Sequence, residues 1–310
     1  MAGTDMNEPA EGAPTRAGFV ALIGAPNAGK STLINRLVGS KVAIVSHKVQ
    51  TTRSTIRGIV MAGQTQIVFV DTPGIFQPKR RLDRAMVETA WGGARDSDIV
   101  ALLVDAAAGI DESVRDTIRK LADIRLPKVL VLNKIDAIPR EKLLGLTAEA
   151  NALGAFDATF MLSALNGDGV PDFVTYLATR LPEGPWLYPE DEISDVPLRQ
   201  LSAEITREKL FERLHQELPY QTTVETDEWL EQKDGSARVS QTIFVERDSQ
   251  KKIVIGAGGA TIKAISMAAR KEIAALAETP VHLFLFVKVR ENWADDPERY
   301  RAMGIEFPRD

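Results

Sequence analysis

The feature that most constrains this chain is a glycine-rich turn near its N-terminus. Residues 24–31 read Gly-Ala-Pro-Asn-Ala-Gly-Lys-Ser and fit the pattern G-x-x-x-x-G-K-[ST]. The turn stands between an apolar run, Phe19–Ile23, and a segment with helical periodicity, Ser31–Val38. Glycines in such a unit let backbone N–H groups face phosphate oxygens, and the helix adds its positive end. The turn therefore predicts a phosphate-binding loop within a layered α/β fold.

Two side chains of this loop suit a nucleoside triphosphate with Mg²⁺. Lys30 can reach the β- and γ-phosphates, and Ser31 can ligate the metal. The alternative is a chance glycine-rich turn, which the preceding strand and following helix argue against. The candidate nucleotide contacts are Gly24, Ala25, Pro26, Asn27, Ala28, Gly29, Lys30 and Ser31.

A second motif selects the base. Asn133-Lys134-Ile135-Asp136 follows the apolar strand Lys128–Leu132 and fits N-K-x-D. Asp136 has two acceptor oxygens for the two adjacent donors of guanine, whereas adenine would leave the carboxylate unpaired. We expect Asn133 to tie this loop to the phosphate loop and the Lys134 stem to lie over the purine. The nucleotide is therefore predicted to be GTP or GDP.

Three further segments complete the predicted site. After the strand Gln66–Val70, Asp71 can hold Mg²⁺ through water and the Gly74 N–H can sense the γ-phosphate, so Asp71, Thr72, Pro73 and Gly74 are candidates. In Gln-Thr-Thr-Arg, over residues 50–53, Thr52 is the expected metal ligand, with Thr51 as the alternative. After the strand Ala158–Leu162, Ser163 and Ala164 offer backbone N–H groups to the guanine carbonyl. The predicted magnesium ligands are thus Ser31, Thr52 and Asp71, and the residues expected to act in hydrolysis are Lys30, Thr52 and Gly74.

The residue after Gly74 is Ile75, where Ras-like proteins carry the Gln that orients water. An isoleucine neither donates nor accepts a hydrogen bond. We therefore expect slow intrinsic hydrolysis, with water positioned by another group.

The order of apolar and helical segments predicts two domains and a tail. The 310-residue chain is longer than one hydrophobic core usually covers. We predict a flexible tail over 1–16, then a nucleotide-binding domain over 17–180 with a mostly parallel, doubly wound sheet. An acidic, proline-punctuated linker follows over 181–197, where Trp186 and Tyr188 are expected to hold it against one domain. Residues 198–310 predict a smaller α+β domain with a C-terminal tail.

The smaller domain carries a second glycine loop, Gly256-Ala257-Gly258-Gly259, which we interpret as following a short strand, Lys252–Ile255, and preceding a helix. This fits the Gly-x-x-Gly pattern of KH domains, in which the loop approaches an RNA backbone. Six basic residues against one acid between Arg247 and Lys271 suit a phosphate backbone, although the net charge is −5. The predicted RNA contacts are Gly256, Ala257, Gly258, Gly259, Lys251, Lys252 and Lys263.

Together these motifs resemble the Era family of bacterial GTPases within the translation-factor-like class. The resemblance rests on Gly-x-Pro-Asn-x-Gly-Lys-Ser, Gln-Thr-Thr-Arg, Asp-Thr-Pro-Gly and a C-terminal stretch ending in Val287–Trp293, and covers about residue 18 onward. It implies a P-loop GTPase domain followed by a type II KH domain, and a switch that binds the 3′ end of small-subunit ribosomal RNA in ribosome assembly. It also implies K⁺ at Asn27 and a loose association with the inner membrane face. One departure is that Ala257 and Gly258 stand where many KH loops carry a basic residue.

Composition excludes several other classes of protein. Without cysteine there is no disulfide scaffold, thiolate metal site or cysteine nucleophile, and the three histidines lack metal-ligand spacing. No metal cluster is expected, and we expect a cytoplasmic monomer. Two rivals remain: another ribosome- or tRNA-modifying GTPase, against which the KH pattern argues, and a non-catalytic RNA-binding protein, against which Lys30, Ser31, Asp71 and Asp136 argue.

Overall fold

The computed structural model describes residues 14–48, 51–215, 217–291 and 293–308. Its chain divides into two compact units. The first unit takes in the described residues up to Val42, Thr52–Pro78 and Met86–Asp195. The second takes in the described residues of Ala43–Thr51, Lys79–Ala85 and those from Val196 onward. Of the predicted tail, residues 1–13 lie outside the described residues. At the end of that tail, Thr15 donates to the Gly184 carbonyl and Arg16 begins the first strand.

The first unit is a six-stranded sheet covered by helices. Its elements are β1 (Arg16–Gly24), α1 (Lys30–Val38), β2 (Ile56–Ala62), β3 (Thr65–Asp71), α2 (Arg81–Arg95), β4 (Ile99–Asp105), α3 (Glu112–Leu121), β5 (Lys128–Asn133), α4 (Glu141–Leu153), β6 (Ala158–Leu162) and α5 (Val170–Arg180), with α2 beginning in the part assigned to the second unit. The strand order is β2-β3-β1-β4-β5-β6, and all neighbours are parallel except β2 with β3. Strands β3 and β4 are almost wholly buried, as expected for a sheet covered on both faces.

Hydrogen bonds from Trp186 and Gln66 help to hold the segment after α5 on the first unit. The Trp186 indole N–H donates to the Gln64 carbonyl at 3.1 Å. The Gln66 side chain, fully buried, accepts from the Leu187 and Tyr188 N–H groups and donates to the Tyr188 carbonyl. Trp186 thus contacts the first unit through its side chain, and Tyr188 does so through its backbone.

The second unit packs three main helices on one face of a three-stranded sheet. Its elements are α6 (Leu198–Arg213), β7 (Thr223–Glu231), β8 (Ala237–Val245), α7 (Asp248–Ile255), α8 (Ala260–Leu276), β9 (Val281–Val289) and α9 (Pro297–Ala302). The strand order is β7-β8-β9, with β8 antiparallel to β7 and parallel to β9. The core joins Leu210 of α6, Ile243 of β8 and Val254 of α7.

Residues 252–255 form the end of helix α7, so the strand expected there is wrong. The start of α7 is fixed by Gln250, whose side-chain oxygen accepts from the Glu246 and Arg247 N–H groups at 2.8 and 3.1 Å. Val254 is then fully buried against β9 and α8. Among the described residues no single helix is long and apolar enough to cross a bilayer; α7 and α8, bent by 41° to one another, reach that length and composition only when counted as one.

Candidate functional site

The predicted nucleotide residues of the first unit lie at one edge of its sheet. The phosphate loop follows β1, Asp71 ends β3, Asn133 ends β5, and Ser163 follows β6. These strands run parallel, so their carboxyl ends meet at the same edge, where open α/β sheets bind ligands.

Two glycines of the phosphate loop are required by close approach of other backbone or side-chain atoms. Gly24 has φ +150°, and a Cβ there would lie 2.3 Å from the Leu103 carbonyl oxygen. Gly29 has φ +98°, and its Cβ would lie 2.2 Å from the Asn133 side-chain nitrogen. Asn27, between them, is exposed in a left-handed conformation with φ +63°. The loop therefore holds a shape that L side chains at 24 and 29 would not allow.

Lys30 begins α1 and is 5 % exposed. Its ammonium donates to the Gly24 and Ala25 carbonyls, both at 3.1 Å. Burial lowers the pKa of Lys30 to about 8, against the opposing effect of the Asp71 charge. The loop carbonyls hold the Lys30 ammonium where it can pair with phosphate oxygens of a bound nucleotide. Such charge-assisted bonds would offset the loss of water around the buried ammonium.

Three oxygen donors meet beside Lys30. The Ser31 hydroxyl donates to Asp71 Oδ2 at 2.7 Å and lies 3.0 Å from the Thr52 hydroxyl. Asp71 is fully buried, and its Oδ1 has no hydrogen-bond partner among the described residues. Burial raises the pKa of Asp71 to about 6, which the Lys30 charge and hydroxyl hydrogen bonds oppose.

This set fits Mg²⁺. Hydroxyl and carboxylate oxygens are the hard ligands that Mg²⁺ prefers, and the unpaired, buried Asp71 Oδ1 would gain a partner. The alternative ligand, Thr51, donates its hydroxyl to the Lys48 carbonyl at 2.9 Å instead. The described residues contain no group of three or more His, Asp or Glu side chains that could hold a metal.

The turn after β3 lies against the phosphate loop. The Thr72 hydroxyl donates to the Leu22 carbonyl at 3.0 Å, and a Cβ on Gly74 would lie 2.8 Å from the Pro26 backbone nitrogen. The Ile75 N–H donates to the Gly24 carbonyl at 2.9 Å, while its side chain is buried in the core between the sheet and its helices. The Gly74 position is therefore coupled to the loop, and the Ile75 side chain faces away from any water at the phosphates.

Asn133 joins the three segments expected to surround the base. It donates to the Ala28 carbonyl at 2.8 Å and accepts from the Ala164 N–H at 2.9 Å, and it is 1 % exposed. Asp136 is exposed in a short 3-10 turn. Ser163 is buried, and its hydroxyl accepts from the Asn166 N–H at 3.1 Å.

Sequence reasoning missed Asp105, the last residue of β4. Its carboxylate pairs with the Lys134 ammonium at 2.6 Å and accepts from the Ala107 N–H at 2.9 Å. The Lys134 backbone is in the left-handed region, with φ +65°, which is uncommon for a residue other than glycine. The ion pair with Asp105 fixes the direction of the Lys134 side chain. An acid at the carboxyl end of a buried strand was the signal available.

The second glycine loop joins α7 to α8 in the second unit. Gly256 has φ +75°, and a Cβ there would lie 2.2 Å from the Thr261 hydroxyl oxygen. Ala257 and Gly258 are exposed, and a Cβ on Gly258 or Gly259 would meet no atom within 4 Å. Of the three lysines predicted to contact RNA, Lys252 and Lys263 are exposed and Lys251 is half-buried. The loop thus presents bare backbone next to the first turn of α8, as the pattern requires.

Known proteins match both units. A family model described as "50S ribosome-binding GTPase" matches residues 19–134, and one described as "KH domain" matches residues 217–294. GTPase Era of Rhizobium meliloti is 65 % identical over 309 residues, covering 100 % of this chain and 99 % of that protein. The chain belongs to the Era GTPase family. GTPase Era of Brucella suis is 64 % identical over 298 residues, or 96 % of each protein.

Two solved Era structures share the fold. An Aquifex aeolicus Era variant bound to GDP and AlF4⁻ matches with a TM-score of 0.89 and 36 % identity, covering 94 % of this chain and 99 % of that one. Era in complex with MgGDPNP and nucleotides 1506–1542 of 16S ribosomal RNA matches equally well. The fold is accordingly a P-loop GTPase domain followed by a KH domain, and the chain is a GTPase.

Proposed function

We propose that this chain is a GTP-driven switch that binds the 3′ end of small-subunit ribosomal RNA and acts in assembly of that subunit. The observation that carries the proposal is the bare Gly256–Gly259 backbone at the start of α8, beside exposed Lys252 and Lys263. The Era structure that holds the 3′ end of 16S RNA supports the choice of RNA. The family model's description names the 50S subunit, whereas 16S RNA belongs to the small subunit. The bound 16S RNA in the Era structure therefore favours the small subunit.

At the nucleotide, each residue of the site has a distinct role. Lys30 neutralises charge on the β- and γ-phosphates, and the Gly74 N–H reports whether the γ-phosphate is present. Mg²⁺ held by Ser31, Thr52 and Asp71 would screen the charge that develops on the phosphates. Asp136 selects guanine. Because the Ile75 side chain is buried in the core, it cannot orient the attacking water.

K⁺ at Asn27 is part of this proposal and rests on the family resemblance. A monovalent cation there would place positive charge where an arginine finger acts in other GTPases. If so, GTP turnover in K⁺ should exceed turnover in Na⁺ at equal ionic strength, and Asn27→Ala should remove the difference. Equal rates in the two salts would contradict the role of Asn27.

The RNA-binding loop is tested with the pair Ala257→Asp and Gly258→Asp. Two carboxylates beside the phosphate path should lower affinity for the rRNA 3′ fragment at least tenfold while GTP affinity stays constant. The matched control is Ala257→Asn with Gly258→Asn, which has the same size and no charge. Gly258 has φ +58°, which Asp and Asn tolerate better than other side chains, so both variants should fold. RNA binding equal to the parent at the same salt would refute the loop's role.

The remaining elements of the proposal concern organisation and location. We infer a GTPase domain over 17–180, a linker over 181–197 and an RNA-binding domain over 198–310. We also infer a monomer in the cytoplasm. Loose contact with the inner membrane face is supported by the family resemblance alone.

A further inference from the structure

The outer face of strand β9 carries two exposed phenylalanines. Residues of β9 alternate, so that Leu283, Leu285 and Val287 face the helices and pack in the two cores of the second unit. The opposite side, which we call the β9 outer row, consists of His282, Phe284, Phe286 and Lys288. Phe284 is 46 % exposed and Phe286 is 51 % exposed.

The neighbouring strand makes these rings unusual for a solvated sheet face. In β8, the residues opposite Phe284 and Phe286 are Ser240 and Thr242, which are small, polar and buried, so the two rings are the exposed apolar groups here. Aromatic side chains half-exposed on an edge strand lose hydrophobic stabilisation and invite aggregation. Polar residues at 284 and 286 would avoid both costs, so the two rings suit a bound partner better than free solvent.

Basic side chains border the rings on three sides. His282 and Lys288 flank them along β9, and both are exposed. The exposed Arg238 of β8 lies with its guanidinium carbon 5.3 Å from the centre of the Phe284 ring. Further along β8, the Phe244 ring is covered by Arg299 at 4.2 Å, so the open part of the face ends there. Aromatic rings with interleaved cations match the bases and phosphates of a single-stranded nucleic acid.

The spacing of the rings selects single strands. Two residues apart on a strand, Phe284 and Phe286 are separated by ~6.6 Å along β9. Stacked bases lie ~3.4 Å apart, so two successive bases can each stack on a ring only after they separate from one another. Sheets of other RNA-binding modules present aromatic rings to unstacked bases in this way.

We propose that the β9 outer row is a second RNA subsite, which stacks two unpaired bases of the strand that leaves the Gly256–Gly259 loop. This inference rests on the proposed function of that loop. The loop lies on the helix side of the sheet, where β9 contacts both α7 and α8, and the row lies on the opposite face. Because β9 is an edge strand, an RNA strand that leaves the loop can reach the row around its free edge. A strand of about four nucleotides occupies a KH loop, so only a longer RNA would reach the row.

The test compares short and long RNA. The probes are single-stranded fragments of the small-subunit rRNA 3′ end, of about four and about twelve nucleotides. Phe284→Ala with Phe286→Ala should lower affinity for the long fragment about tenfold or more and change affinity for the short one less than about twofold. Phe284→Leu with Phe286→Leu should lose as much, because leucine keeps apolar area but has no ring to stack. The control is Leu144→Ala with Ile193→Ala, which removes exposed apolar side chains from the first unit.

Each other outcome has a defined meaning. Unchanged binding of the long fragment overturns the subsite. Equal losses for both fragments also overturn it, since the row would then act through the loop itself. If the parent self-associates and the alanine variant is monomeric by sedimentation, the row is an interface between copies instead. The Asp substitutions at 257 and 258 should weaken both fragments alike, so failure of the loop proposal is distinguishable from failure of this one.

A second measurement does not depend on variant folding. The long fragment is made with 5-iodouridine at single positions and irradiated in complex with the parent protein. Crosslinks to the peptide that contains Phe284 and Phe286, from positions outside the loop-bound segment, are expected. Crosslinks confined to α7 and α8 would contradict the proposal.

Discussion

At the scale of single residues, the nucleotide site contains buried charges that suit a ligand but destabilise the ligand-free protein. Lys30 and Asp71 are buried charges whose pKa values move toward neutrality, to about 8 and about 6. Asp71 also keeps one oxygen without a partner among the described residues. Charges buried in this way are destabilising unless a ligand completes their interactions, which is typical of functional sites.

The Lys30 charge gives a pH dependence with a defined sign. Between pH 8 and 10.5 the unfolded chain keeps the Lys30 proton while the folded, nucleotide-free protein releases it, so the free energy of unfolding should rise with pH across this window. Below pH 8 the lysine is charged in both states and the cost of burial is fully present. Lys30→Met should remove this rise and also lose most GTP affinity.

The measurement is urea unfolding of nucleotide-free protein at several pH values, taken as the difference between variant and parent. Lys120→Met, at an exposed lysine of α3, serves as the control and should track the parent. A rise with pH that persists in Lys30→Met would show that other groups cause it.

Base selection is a second property that depends on one side chain. Asp136→Asn replaces one acceptor oxygen with a donor, so it should weaken GTP by tenfold or more and favour xanthosine triphosphate, whose exocyclic group is a carbonyl. Competition against a fluorescent GDP analogue measures both affinities. Glu141→Gln, at a nearby exposed acid, should change neither. GTP binding as tight as in the parent would mean that another group reads the base.

At the scale of elements, the sequence predicted the buried strands best. Strand β5, predicted at Lys128–Leu132, is a continuous apolar run of the kind expected for a strand buried on both faces. The half-exposed edge strand β2 was missed, because its pattern Ile-Arg-Gly-Ile-Val-Met-Ala neither alternates cleanly nor stays apolar. Helix α7 was misread as a strand because Ile253, Val254 and Ile255 favour strands, while burial of Val254 and the Gln250 cap favour the helix.

Site residues that belong to a sequence motif could be predicted. Contacts that depend on how distant segments fold together could not. Gly29 and Asn133 each belong to a motif, but only the structure shows that glycine is needed at 29 because Asn133 passes beside it. The Asp105–Lys134 pair joins the ends of two strands, and nothing local in the chain links them.

The connection after α5 offers a test at the same scale. Gln66→Leu would leave the Leu187 and Tyr188 N–H groups without their acceptor, at a cost of about 1–3 kcal/mol. We expect faster limited proteolysis near 186–188 and a lower melting temperature, with GTP affinity retained. Gln64→Ala is the matched control, because Trp186 binds the backbone carbonyl of residue 64 and not its side chain. Equal proteolysis of the Gln66 variant and the parent would show that the segment is held by other contacts.

At the scale of the whole molecule, an acidic chain is proposed to bind RNA. The formal net charge of −5 opposes a polyanion at long range, but salt screens that repulsion beyond about 10 Å at 0.1 M. Lysines near the Gly256 loop act within that distance, so local charge and not the total should govern affinity. The effects of local charge and of total charge can be distinguished by removing equal numbers of basic residues beside the loop and far from it in the sequence.

The last prediction makes this separation. Lys251→Gln, Lys252→Gln and Lys263→Gln together lower the net charge by three, and so do Lys120→Gln, Arg125→Gln and Lys142→Gln, at exposed positions of the first unit. Each phosphate contact on a single strand contributes about 0.7 to the slope of log affinity against log salt, so the first variant should flatten the slope by about 2 and the second should leave it nearly unchanged. RNA affinity is measured by fluorescence anisotropy from 50 to 300 mM KCl, roughly the range over which counterion release dominates. If both variants weaken binding equally with parallel slopes, total charge controls association, and the basic residues beside the loop are only a solvated surface.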